Sequence, residues 1–266
     1  MLPDWLGDDD VTGNDDAALW IRRFHPAPDA PVRLVCLPHA GGSASYFFPV
    51  SRSLSPKVEV LAVQYPGRQD RRREECIGTL AGLADAIAPL LDAWTDRPLA
   101  LFGHSMGASL AFEIALRLEQ RGTVPVKLFA SGRRAPSRFR DERVHERDDD
   151  GLIKEIKALS GTDSQVLDDD EILRSVLPAI RSDYKAAETY RFEFTDGGPK
   201  LETPIHAMVG DSDPKATIDE VRAWGEHTTG DFELDTYGGG HFFLNEHAPK
   251  VIDTISRTLS AMSGPR

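Results

Sequence analysis

The 266-residue sequence holds only two cysteines, Cys36 within an apolar run and Cys76 in a polar one, so no disulfide framework is implied. Neither has the surroundings of a catalytic thiolate. No apolar stretch approaches the roughly 18 residues needed to span a bilayer. A basic start is missing too: the N-terminus carries Asp8-Asp9-Asp10 and Asp15-Asp16, the reverse of a signal peptide. These absences predict a cytoplasmic protein with no membrane partner. Positive charge is scarce overall, with 31 Lys and Arg against 43 Asp and Glu and a net charge of −12. Nucleic acid, which is bound by neutralising phosphates with Lys and Arg, is therefore not expected as a partner. There is no internal repeat and no low-complexity linker, so one domain with a substantial core is expected, monomeric by default.

What the sequence does have is alternation. Short β-rich apolar runs at Val32–Leu37, Val58–Val63, Leu99–Phe102 and Val126–Ala130 are separated by helical stretches over Tyr46–Leu54, Leu80–Trp94 and Ala108–Gln120. Leu19–Phe24 reads as an edge strand. That rhythm predicts an α/β fold with a mostly parallel sheet and helices on both faces, and sites in such sheets lie at the carboxyl ends of strands. The rhythm breaks between about Arg138 and Tyr190, where only helical pattern is found, over Asp150–Leu159, Asp170–Leu177 and Ala179–Tyr190. Asp148 to Asp150 and Asp168 to Asp170 suit helix N-caps and first turns. This stretch is either a helical lid over the active edge or an ordinary run of surface helices. Strand pattern returns at Ile205–Val209 and Phe232–Tyr237, and a last helix covers Ala248–Met262.

The run Leu99–Phe102 opens into Gly103-His104-Ser105-Met106-Gly107. Glycines on either side allow strand and helix to approach closely and hold a strained turn, which would expose the Ser105 hydroxyl at a helix N-terminus. A serine nucleophile needs a base and a group to orient it. Downstream, Ile205–Val209 runs into Gly210-Asp211-Ser212-Asp213-Pro214, and Phe232–Tyr237 runs into Gly238-Gly239-Gly240-His241. Ser105, Asp213 and His241 thus fall at three strand ends in the order nucleophile, acid, base. Asp213 leads as the acid because Pro214 fixes its backbone, with Asp211 the fallback. Among the other histidines, His104 is expected to point away from the nucleophile, His39 to support its loop and His206 to sit in a strand. His25, His145, His227 and His247 are expected in surface or packing roles. Acyl transfer also needs two donors for the oxyanion, assigned to the N–H groups of Met106 and Ala40, the latter in the loop Pro38-His39-Ala40-Gly41-Gly42.

With these residues assembled, the sequence resembles the α/β-hydrolase superfamily. Within it, the resemblance is to the type II thioesterases associated with modular polyketide synthases and nonribosomal peptide synthetases. It runs from about Trp20 to the last helix. It is carried by Leu37-Pro-His-Ala-Gly-Gly-Ser-Ala-Ser-Tyr46, Gln64-Tyr-Pro-Gly-Arg68, Phe102-Gly-His-Ser-Met-Gly107, Ser131-Gly-Arg-Arg-Ala-Pro136, Ser182-Asp-Tyr-Lys-Ala-Ala-Glu-Thr-Tyr190, Gly210-Asp-Ser-Asp-Pro214 and Gly239-Gly-His-Phe-Phe-Leu244. The resemblance implies an α/β-hydrolase core over 19–137 and 191–266 and a helical lid over 138–190; the acidic stretch over 1–18 is no part of the family pattern and reads from its composition as a flexible tail. It implies hydrolysis, through an acyl-Ser105 intermediate, of aberrant or stalled acyl groups from the phosphopantetheine thiol of acyl carrier protein domains. No cofactor or metal is implied, since the phosphopantetheine arm belongs to the substrate. A general carboxylester hydrolase or an acyltransferase using the same three residues is the alternative. Arg68, the run Arg71 to Arg73, and the pair Arg133-Arg134 follow strand ends and are candidates for docking an acidic carrier.

Overall fold

A computed structural model describes residues 17–160, 170–192 and 200–262. The apolar runs become a seven-stranded sheet: β1 (Ile21–Arg22), β2 (Val32–Leu37), β3 (Val58–Val63), β4 (Leu99–His104), β5 (Lys127–Ser131), β6 (Ile205–Gly210) and β7 (Phe232–Tyr237). Their order across the sheet is β1-β3-β2-β4-β5-β6-β7. All neighbours are parallel except β1, which lies antiparallel on β3 with Ile21 opposite Val63. The expected edge strand over Leu19–Phe24 shrinks to this two-residue β1. The helices are α1 (Phe48–Leu54), α2 (Leu80–Ile87), α3 (Met106–Gln120), α4 (Asp149–Ser160), α5 (Asp170–Thr189), α6 (Ile218–Arg222), α7 (Phe243–Glu246) and α8 (Ala248–Met262). After α2 the chain tightens into a 3₁₀ turn over Ala88–Trp94, where Pro89 occupies the first turn and has no N–H to give.

Alternate residues of each central strand point to opposite faces, and each face is covered by helices. Val35, Leu37, Leu61, Val63, Leu99 and Leu101 pack with α2 and α3. Leu34, Cys36, Val60, Ala62, Ala100 and Phe102 pack with α1 and α8. Each fully buried Leu, Val or Phe in these layers contributes about 1.5–3 kcal/mol of transfer free energy. Burial pushes the Cys36 thiol pKa up, which leaves it an inert packing group.

The stretch between β5 and β6 carries α4 and α5, whose residues Leu152, Ile153, Leu173, Leu177 and Ile180 form a third, separate cluster with Val144. Asp148 caps α4 by accepting from the Gly151 N–H at 2.8 Å. The two helices expected on either side of Pro178 are one continuous helix, α5, with that proline inside it. Leu173, Leu177, Ile180, Asp183 and Ala187 recur at three- and four-residue steps and are all buried, so packing on one face holds the helix through the proline. The expected tail over 1–18 lies almost wholly outside the described residues, as do the caps expected at Asp168 and Asp169. No described helix is long and apolar enough to cross a membrane.

Candidate active site

The end of β4 and the start of α3 meet at Ser105, whose backbone sits at φ 54° and ψ −118°. This strained turn is held from behind: the Ser105 N–H donates to the Ser131 carbonyl at 2.8 Å, and Ala108 N–H donates to the Ser105 carbonyl at 3.0 Å. The flanking glycines are required by contact. A Cβ on Gly103 would lie 2.0 Å from the Gly107 carbonyl oxygen, and one on Gly107 would lie 2.1 Å from the Leu37 carbonyl oxygen at the end of β2. Gly107→Ala is therefore expected to destabilise the protein by more than about 3 kcal/mol, read as a loss of soluble folded protein or a large drop in thermal midpoint.

His241, from the loop after β7, brings Nε2 to 2.9 Å from Ser105 Oγ. Its Nδ1 lies 3.0 Å from both carboxylate oxygens of Asp213, in the loop after β6. An ionised carboxylate can only accept, so Nδ1 carries the proton and donates, and Nε2 is left to accept from the serine hydroxyl. Asp213 is 6% exposed and His241 4%, which shelters the array from water. Asp213 is itself oriented by the Lys215 N–H, which donates to Oδ1 at 2.8 Å.

The fallback acid, Asp211, does not reach the imidazole. It is exposed and accepts from the Gly239 N–H at 3.0 Å and from the Ser212 hydroxyl at 2.9 Å. Donation from Gly239 holds its carboxyl below the usual range. Asp211 thus ties the acid loop to the histidine loop, which meet tightly enough that a Cβ on Gly210 would lie 2.3 Å from the Gly240 carbonyl oxygen.

Met106 is the first residue of α3, so its N–H lies at the helix's positive end directly after the nucleophile. In the loop after β2, the Gly42 N–H donates to the His39 carbonyl and the Gly41 N–H to Asp183, both at 2.9 Å or less. Ala40, between them and His39, has no hydrogen-bond acceptor for its N–H among the described residues.

Two other histidines, His104 and His39, pack beside this array, and His206 and His227 lie elsewhere in the fold. His104 leaves the turn away from Ser105 and lies 3.0 Å from Ser131 Oγ, its ring 5.1 Å from that of His241. His39 stands edge-on between Tyr46 and Phe242 at 4.8 and 4.9 Å. His206 is buried with Asp235 at 3.1 Å, and His227 is buried against Ser137 at 2.8 Å. Burial holds His104 well below the usual imidazole range, His39 down to about 3 and His227 down to about 4. Each binds its proton more weakly in the folded chain than in the unfolded one. Stability from these groups is therefore complete above the unfolded value near 6.5 and is lost as pH falls from there toward about 3 to 4. Urea unfolding is expected to show a midpoint that falls steadily between pH 6.5 and 4.5. The slope reaches up to about 1.4 kcal/mol per histidine per pH unit.

The arginines considered for docking are mostly internal. Arg68 is paired with Asp183, and Arg71 lies 4.2 Å over the Trp20 ring and donates to the Gln64 carbonyl and to Glu74. Arg133 donates to Ser109 Oγ and the Ala187 carbonyl, and Arg134 to Glu142 and the Lys215 carbonyl. Of the set, Arg72 and Arg73 alone are exposed. Burial takes Arg68, Arg71 and Arg134 out of reach of a macromolecular surface and Arg133 is half-buried, so the docking expectation narrows to Arg72 and Arg73. The Arg68–Asp183 pair was not anticipated as part of the site, although both residues fall in sequence blocks that carry the resemblance.

Residues 32–259 match the thioesterase domain family. Thioesterase PikA5 of Streptomyces venezuelae is 54% identical over 253 residues, covering 94% of this chain and 89% of that protein. Among solved structures, the type II thioesterase BorB from the borrelidin biosynthetic cluster is 52% identical, with a TM-score of 0.86 over 91% of this chain and 98% of that one. RedJ, a thioesterase from the prodiginine pathway of Streptomyces coelicolor, is 38% identical, with a TM-score of 0.81 and 88% of both chains covered. The family match runs from the first residue of β2 into α8 and encloses every residue of the array around Ser105, so the chain belongs to the thioesterase domain family, on an α/β-hydrolase fold.

Proposed function

We propose that the chain is an editing thioesterase that hydrolyses aberrant or stalled acyl groups from the phosphopantetheine thiol of acyl carrier proteins in polyketide or nonribosomal peptide biosynthesis. The observation that carries this reading is the 2.9 Å approach of Ser105 Oγ to His241 Nε2, backed by Asp213 at 3.0 Å, in a chain whose relatives are thioesterases of such clusters. Ser105 Oγ attacks the thioester carbonyl carbon while its proton passes to Nε2, and the carbonyl oxygen takes up the negative charge facing the Ala40 and Met106 N–H groups. Collapse of this adduct breaks the carbon–sulfur bond, and Nε2–H returns the proton to the departing thiolate. Water, deprotonated by Nε2, then attacks the acyl-Ser105 ester, releasing the acid and restoring the serine. Asp213 keeps Nδ1 protonated throughout and stabilises the imidazolium. The chemistry needs no cofactor from the protein. In this reading the stretch over about 138–190 is the lid of the acyl site, a role supported by the separate apolar cluster of α4 and α5 within it.

The test compares kcat/KM on an acyl-carrier protein, the same acyl group on N-acetylcysteamine, and its p-nitrophenyl ester. Preference for the carrier-bound thioester by about 10-fold or more is expected, since remote binding energy from the carrier lowers the barrier. Equal or better turnover of the ester would identify a general carboxylester hydrolase instead. Acyl transfer to an added alcohol or thiol in preference to water would identify an acyltransferase.

A further inference from the structure

The loop that carries Ala40 is gripped on both sides by one connected set of buried side chains. At its start, the Tyr65 hydroxyl donates to the Pro38 carbonyl at 3.1 Å. The guanidinium of Arg68 lies 5.0 Å over the Tyr65 ring, and its Nη2 donates to both oxygens of Asp183 at 2.7 Å. Asp183 Oδ2 in turn accepts from the Gly41 N–H at 2.8 Å. Ala40 sits between these two anchors. The second anchor comes from α5, in the helical insertion rather than the sheet core, and α5 reaches the same glycine again through Ile180. A Cβ on Gly41 would stand 2.9 Å from Ile180 Cγ1, and Gly41 already has φ +77°.

Asp183 is 2% exposed and Arg68 6%. The Nε and Nη1 groups of Arg68 are buried without a hydrogen-bond partner among the described residues, so Asp183 is the carboxylate that compensates its charge there. A buried ion pair is weak evidence for stability as such, because desolvation of both ions opposes the attraction. Its placement has a different consequence. An oxyanion donor acts only if it is held within about 0.5 Å of its working position, and Gly41 is the peptide that fixes the backbone after Ala40.

We propose that Asp183 is a positioning residue for hydrolysis: from α5 it holds Gly41, and through Gly41 the Ala40 N–H, in the orientation that receives the oxyanion, so the donor is set while α5 is seated. The proposal rests on Ser105 being the nucleophile. It couples the insertion to the reacting atoms, since a displaced α5 would carry Asp183 and Ile180 away from Gly41 together.

Removing Asp183 alone would strand the Arg68 charge in the interior and risk unfolding the chain, so the test uses two double variants that remove both charges. Arg68→Met/Asp183→Asn keeps an oxygen acceptor for the Gly41 N–H, whereas Arg68→Met/Asp183→Leu keeps the volume without one. Thermal midpoints of the two are expected to agree within a few degrees. Relative to the Asn double variant, the Leu variant is expected to lose about 10- to 100-fold in kcat on an acyl N-acetylcysteamine thioester, with KM changed less than about 3-fold. The rate of Ser105 labelling by an alkyl fluorophosphonate, which expels fluoride through a transition state with developing negative charge on its phosphoryl oxygen and carries no natural acyl group, is expected to fall by a similar factor. Equal kcat and equal labelling rates in the two double variants would overturn the positioning role, as would a kcat difference matched by an equal loss of folded protein. Failure of the wild-type chain to label at Ser105 would instead overturn the nucleophile assignment, a separate outcome.

Discussion

Ser105→Ala is expected to yield a folded protein whose turnover of an acyl-carrier thioester falls by roughly 10⁵- to 10⁶-fold, the scale on which removal of a serine nucleophile acts in enzymes with a serine, histidine and acid in line. The fold should tolerate the change, because alanine meets the same φ of 54° as serine and the turn is held by backbone hydrogen bonds to Ser131 and Ala108. What is lost is the oxygen 2.9 Å from His241 Nε2. The companion measurement is intact mass after mixing with substrate. The wild-type chain should gain one acyl mass and the variant none. A variant that kept more than about a hundredth of wild-type turnover would exclude Ser105 as the attacking group.

Asp213→Asn carries the second large expectation, a fall of roughly 10⁴-fold in kcat with an unchanged fold. Asparagine is the same size, but its amide can present N–H to Nδ1. That selects the imidazole tautomer with Nδ1 accepting and Nε2 protonated, which cannot take the serine proton. The matching change at the neighbouring acid, Asp211→Asn, should leave kcat within about 3-fold and lower the thermal midpoint slightly, since Asp211 is exposed and joins two loops. The pair of variants separates the two acids cleanly. Comparable losses at both positions would contradict the assignment of Asp213.

The contrast between Asp213 and Asp211 also shows what the sequence makes legible. Strands announce themselves when an apolar run stops near Pro or Gly: β2, β3 and β7 match their expected bounds residue for residue, and β4 runs past its expected end at Phe102 to His104. β5 is displaced by one, to Lys127–Ser131, because its ladder with β4 runs from Lys127 opposite Ala100 to Ser131 opposite His104. α3 begins at Met106 rather than Ala108, since the strained Ser105 turn delivers the chain straight into the helix and Gly107 is there for contact rather than to interrupt it. Pro178 reads locally as a break, and only the packing of its neighbours on one helix face overrides that signal. The three residues around Ser105 were readable because each sits just past a strand in a loop of Gly, Ser or Pro. The Arg68–Asp183 pair was not, because its members are 115 residues apart and neither has a local pattern that names the other. The same holds for the burial of Arg71 and Arg134, which look in sequence like a solvated basic surface.

One end of the sheet closes on the short antiparallel β1, but the other end, at β7, is half-exposed and continues into nothing further among the described residues. Such a row of free backbone groups is a template on which a second chain can add. β7 carries Glu233 and Asp235, and a second copy arriving edge to edge would set these acids against their own counterparts, in a chain that already repels itself with a net charge of −12. The open edge is guarded by like charge, with no further strand beside it among the described residues. A concentrated solution of the protein should therefore stay free of fibrils near neutral pH and become prone to strand-to-strand association as these carboxylates are protonated in acid.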